Sequence, residues 1–354
     1  MPFALLSRFR DPLMGFSILW IMFFHSRIEI PDTIAWAGVD FVKSAGYGGV
    51  EIFFLLSGLG LAFGWAKRPL GYLDFLKRRV LRILPAFWVG IALFHGFFAL
   101  RLEKPPTLLQ LAEGFTGLDF WLTGNCGFWF VPAILAFYAV FPPLARLVWK
   151  ENRLQSQPFF HLMATSLLLA LGASLASRQD LVGHAYLLLV WIRIPLFLAG
   201  SGIGFALSQG SSLRLPWWAG LTYLCAGGTW IWWIFQHVDF DVRWKTGLWW
   251  IPFWPMVIPL SLLVAKGFEL LESKDATRQL LAVPTWAGRR SLELYLVHTL
   301  CFRFLPNADN DPRFFEADAA WNLARVPEYL GYVLIAALGA ELLARGCARL
   351  FPKG

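Results

Sequence analysis

Charged residues are scarce in this sequence. Asp, Glu, Lys and Arg make up 15% of its 354 residues, where a soluble domain carries about a quarter. That shortfall excludes an ordinary water-soluble enzyme. Cysteine is scarce too. Cys126, Cys225, Cys301 and Cys347 are scattered, without the paired spacing of a redox or metal site. There is no HExxH and no cluster of acidic residues, so no metal is expected. No GxSxG elbow offers a hydrolase nucleophile. Repeats, low-complexity tracts and long linkers are missing as well, and a single membrane-embedded domain over 1–354 is the expectation.

What the chain does have is oil: 57% hydrophobic residues, with 33 Phe and 19 Trp. The apolar runs are about 17 to 25 residues long, enough to cross a hydrocarbon core of ~30 Å as helices. They are continuous rather than alternating, which excludes an outer-membrane barrel. The expected fold is therefore all-α, a polytopic transmembrane helical bundle of about ten spans. These lie near 13–30, 48–66, 84–100, 127–147, 159–176, 185–207, 216–237, 246–270, 290–306 and 327–351. The first span is followed by no small-residue cleavage site and reads as a retained helix.

With both termini in the cytoplasm, Lys and Arg favour the inner segments by about two to one. Trp217 and Trp218 then mark an inner interface, and Trp230, Trp232, Trp233, Trp249 and Trp250 an outer one. The net charge of +8 follows from this topology and from contact with anionic membrane lipids, and gives no sign of a nucleic-acid partner.

The densest charge lies in "KRPLGYLDFLKRRVLRILPAFW", where Lys67, Arg68, Lys77, Arg78, Arg79 and Arg82 stand against Asp74. Leu73, Leu76, Val80 and Leu84 recur at helical spacing, which predicts an amphipathic helix on the cytoplasmic surface. Arg79 and Arg82, three apart, share a face. Two readings fit the segment. It is a positive-inside anchor for lipid headgroups, or a clamp for a multiply phosphorylated cytosolic ligand, since Arg presents a bidentate fork to phosphate.

Ionisable groups inside the spans are costly in hydrocarbon and mark functional sites or satisfied structural pairs. His25 lies about twelve residues into the first span, ~18 Å from its inner edge at ~1.5 Å per residue. Glu51, at the start of the second span, is expected at similar depth, where a carboxylate would orient the imidazole and select its tautomer. The alternative is a mutually satisfied pair joining two helices. His298 is expected near the midplane of the ninth span, with Glu293 nearer the inner edge. Arg193, in the sixth span, needs an anionic partner that the sequence does not identify. His95 reads as a hydrogen-bonded bundle residue, and His161, His184 and His237 lie at span edges. Chemistry needing one buried base, a phosphate-rich cytosolic donor and an outward acceptor fits this set, acyl transfer from a CoA thioester included.

Taken together and in order, "SILWIMFFH", "GGVEIFFLLSGLGL", "FLKRRVLRILPAFW", "FWFVPAILAFY" (Phe128 to Tyr138) and "SLELYLVH" resemble the acyltransferase-3 family of integral-membrane acyltransferases. The resemblance runs from the first span to the ninth. It implies transfer of an acyl group, usually acetyl, from cytosolic acyl-CoA to a hydroxyl of a glycan, lipid or other outward-facing acceptor. In that family a first-span His is the catalytic residue, matching His25, here with Glu51 beside it. An Arg-x-x-Arg linked to acyl-CoA binding matches Arg79 and Arg82, with Lys77 and Arg78 as neighbours. Trp129, His298 and Arg193 are candidates to line the substrate passage.

Two positions depart from the family's pattern. Met14 stands where an Arg is usual, and Arg10, one turn away, is the candidate to serve the same donor site; otherwise the donor site has changed or activity is lost. Glu51 replaces the more common Asp. The expected location is the bacterial cytoplasmic membrane. Two rival readings are a transporter or flippase of a glycan or lipid, in which His25, Glu51, Arg193 and His298 form a proton or substrate path, and a degenerate family member acting as a scaffold. The outer loops "RLEKPPTLLQLAEGFTGLDFWLTGNC" and "NADNDPRFFEADAAWN" are expected to shape the acceptor site or to be ordinary solvated loops.

Overall fold

The structure, a computed structural model, describes residues 1–26, 30, 33–102, 105–124, 127–178, 185–303 and 326–350. The loop 307–322, Arg27, Cys126 and His184 lie outside the described residues. Almost everything described is helical. The exception is a hairpin in which Trp149–Lys150 pairs with Arg153–Leu154. Its turn residues Glu151 and Asn152 sit at φ 51° and 57°, the left-handed pair that a two-residue hairpin of this hand requires.

Among the described residues, seven helices are long and apolar enough to cross a membrane: Gly46–Lys67, Tyr72–Gly96, Phe130–Val148, Ser156–Ser177, Leu188–Ser208, Phe253–Glu272 and Tyr329–Arg349. The other three expected spans are also helical. Arg10–His25 has 16 residues, short of a full crossing at ~1.5 Å per residue, and Ser291–Arg303 has 13 among the described residues. Trp217–His237 has 21 residues, and its many Trp, Gly and Thr residues weaken its hydropathy.

The basic segment departs from expectation. It is no separate surface helix. Tyr72–Leu102 runs as one helix of 31 residues with Pro85 inside, about 46 Å long. Its apolar upper part and basic first turns are therefore one rod, with the charges beyond the length that hydrocarbon needs. The sixth expected span is broken. A turn at 192–193 separates Leu188–Trp191 from Ile194–Ser208, and Arg193 caps the second piece.

The chain forms two compact units. One comprises Met1–Ser17, Gly48–Lys77 and Ala133–Gly288. At its centre the Gly49–Lys67 and Ile194–Ser208 helices meet backbone to backbone. A Cβ on Gly58 would stand 2.1 Å from the Phe197 carbonyl oxygen, and one on Gly200 would stand 2.0 Å from that of Leu55. Lipid gives helices no hydrophobic reason to associate, so small residues supply close van der Waals contact instead.

The other unit comprises Ile18–Tyr47, Arg78–Pro132 and Arg289–Gly354. Here Leu296 packs over Gly90, and Val297 over Gly339. Arg290 reaches Glu341 at 2.9 and 3.4 Å, tying the Ser291–Arg303 helix to Val326–Leu350. Trp20 donates to the Val42 carbonyl, holding the short Ile34–Ser44 helix. The first outer loop is more ordered than a solvated loop: it carries helices Leu108–Thr116 and Leu118–Thr123. Thr107 and Gln110 cap the first reciprocally, a Thr-x-x-Gln signal legible in the sequence, and Trp88 donates to the Phe115 carbonyl.

Candidate active site

His25 is the last residue of the Arg10–His25 helix. Its Nδ1 lies 3.2 Å from Nε2 of His298, and Nδ1 of His298 lies 2.9 Å from the Leu294 carbonyl oxygen. These contacts determine where the protons are. A carbonyl oxygen only accepts, so His298 carries its proton on Nδ1, and the Nε2 of the neutral ring is then an acceptor. His25 must donate to it from Nδ1. The lone pair of His25 is left on Nε2, where a base would use it.

The surroundings restrict both rings. Phe24 meets His25 edge-on at 5.1 Å, and Tyr295 lies 5.9 Å from His298. The Tyr295 hydroxyl accepts the Phe130 N–H at 3.3 Å. That bond joins the "SLELYLVH" helix to the "FWFVP" turn, and so brings Trp129 into the same unit. Trp129 itself packs on Phe120 and Phe130, at 6.4 and 6.2 Å between ring centroids.

The carboxylate expected to orient His25 has another partner. Glu51 Oε1 lies 2.6 Å from Arg193, with both side chains fully buried. Arg193 also donates to the Leu189 carbonyl at 2.6 Å, satisfying an acceptor freed by the helix break. Its guanidinium lies 5.3 Å from the ring centre of Trp250 and 5.7 Å from that of Phe54. The contact with Glu51 is a charge pair by distance without the alignment of a hydrogen bond, and Glu51 Oε2 has no donor among the described residues. The anion that Arg193 needs is thus Glu51, and the partner that His25 needs is His298. Sequence depth missed both pairings, because counting residues from each span's edge assumes that all spans start at one level.

The basic candidates lie at the start of the Tyr72–Leu102 helix. Lys77, Arg78 and Arg82 are exposed, and Arg79 is half-buried. Arg82 lies within electrostatic range of Glu293. Arg10 is turned onto the Gly49–Lys67 helix, its Nε 3.4 Å from the Leu56 carbonyl. His95 packs against Gly114, as a bundle residue does.

Apolar helices of spanning length, with ionisable pairs enclosed between them, define a multi-pass membrane protein. The chain belongs to the acyltransferase-3 family: the family's sequence model, described as an acyltransferase domain, matches residues 13–345. The protein is an acyltransferase. No curated protein matches the chain, and no solved structure does.

Proposed function

We propose that the protein moves an acyl group, acetyl in the first instance, from cytosolic acyl-CoA to a hydroxyl of an outward-facing glycan or lipid, in a bacterial cytoplasmic membrane. The observation that carries this reading is the Leu294–His298–His25 hydrogen-bond chain, which orients the His25 imidazole and favours the tautomer with its lone pair on Nε2.

In this reading the acceptor hydroxyl gives its proton to Nε2 of His25 as its oxygen attacks the thioester carbonyl. The C–S bond breaks, an ester C–O bond replaces it, and the CoA sulfur leaves with the proton held on His25. Nδ1–H of His25 donates to His298 throughout, and the imidazolium is steadied by a neutral acceptor. A base of this kind contributes roughly 10²–10⁴-fold. Positioning and donors to the developing oxyanion supply the rest. At the donor end, Arg79 and Arg82 take the CoA phosphates, with Lys77 and Arg78 of the same helix adding charge. Trp129 lines the acyl passage.

The test is His25→Ala, purified from membranes and assayed for thiol release from acetyl-CoA. The expected result is loss of turnover, with acetyl-CoA still raising the melting temperature. Full turnover in this variant would remove His25 from the role of base.

A further inference from the structure

The helix that carries His25 ends there, inside the protein. Beyond it, the Ser26 N–H bonds to the Phe23 carbonyl at 3.1 Å instead of continuing the ladder to Met22. Among the described residues no backbone N–H reaches the Met22 carbonyl; a carbonyl at a helix end takes its donor from elsewhere, and Met22 is buried. That donor comes from the last helix. The Tyr329 hydroxyl, on a buried ring, donates to the Met22 carbonyl at 3.1 Å. Its oxygen also lies beside the Ser26 side chain, whose hydroxyl donates to the Phe23 carbonyl. Tyr329 thus holds the residues on both sides of His25 within one turn.

We infer that Tyr329 is a positioning residue for acyl transfer: from the last helix its hydroxyl fixes the final turn of the His25 helix, so that the imidazole stays on His298 and presents Nε2 to the acceptor. The inference rests on the reading of His25 as the base. A 3.2 Å contact between two rings depends on the backbone beneath them, and without Tyr329 the Met22 carbonyl must find another donor by rearranging that turn.

The experiment uses the full chain in lipid nanodiscs with acetyl-CoA. Tyr329→Phe keeps the ring and removes the oxygen. The expected result is a fall in kcat of about tenfold or more, with KM for acetyl-CoA unchanged. In ¹⁵N spectra of histidine-labelled protein, His25 should go from one Nδ1–H tautomer to a mixture. Ser26→Ala should give a smaller shift in the same direction, and it takes over the test if the Phe variant does not fold. Wild-type turnover and an unchanged His25 spectrum in Tyr329→Phe would overturn the inference while His25→Ala stays inactive. Turnover retained in His25→Ala would instead overturn the reading of His25 itself. If wild-type protein releases no thiol, the His25 spectrum decides alone.

Discussion

The two compact units each enclose a pair of ionisable side chains, half-buried at His25 and buried at His298, Glu51 and Arg193, and they solve the same problem in opposite ways. One holds His25 on His298 and the other holds Glu51 on Arg193. Two neutral imidazoles are cheap to bury, and a chain of single donors leaves a lone pair at its end. A carboxylate and a guanidinium are expensive to bury and are tolerated because they neutralise each other. The first arrangement keeps chemistry available. The second consumes its charge internally and crosslinks the Gly49–Lys67 helix to a break in its neighbour. Depth in a membrane is therefore a poor guide to which buried polar groups pair with each other.

Five variants break or sharpen this contrast. The largest effect is expected from His25→Ala, with turnover lower by roughly 10²–10⁴-fold and little change in melting temperature. Glu51→Gln comes next and should act on stability instead, costing about 3–5 kcal/mol by leaving the Arg193 charge uncompensated. Joint replacement of Glu51 by Leu and Arg193 by Met should recover most of that loss, read by denaturant unfolding in detergent. A Glu51→Gln protein of native stability and no turnover would move Glu51 into the chemistry and dissolve the contrast. His298→Ala should lower kcat by about 10- to 100-fold, the worth of one orienting hydrogen bond in a buried site, with KM for acetyl-CoA unaltered. The smallest effect belongs to Arg82→Gln. It should raise KM for acetyl-CoA by about tenfold and leave kcat near normal, because one charge-assisted contact at an exposed position is partly screened.

Much of the fold was legible in the residues. The runs around Gly49–Lys67, Phe130–Val148 and Phe253–Glu272 are apolar for the length of a crossing, and a helix satisfies its own backbone wherever water is missing. The Lys77–Arg82 cluster was legible as a charged helical stretch, but its continuity with the span was not. The segment was expected as a surface helix apart from the span, whereas Pro85 lies inside one continuous helix, as a proline can when its surroundings satisfy the freed carbonyl. His25 stood out as a candidate because an imidazole in an apolar run has few innocent explanations. Its contact with His298 was not legible, because depth says nothing about rotation around each helix. Tyr329 gave no signal at all: one tyrosine at the start of an apolar helix looks like an interfacial anchor.

The sequence by itself determined that this protein is a set of helices within lipid, where basic residues cluster along the chain, and which few polar side chains are buried. Those properties are local, following from side-chain transfer energies and from hydrogen bonds between residues four apart. Only the tertiary structure decided that His25 faces His298, that Arg193 faces Glu51, and that a hydroxyl from the last helix holds the turn beneath His25. These pairings depend on the relative shift and rotation of helices distant in sequence, and such offsets of a few ångströms arise from the packing of small residues and from helix ends that no single segment encodes.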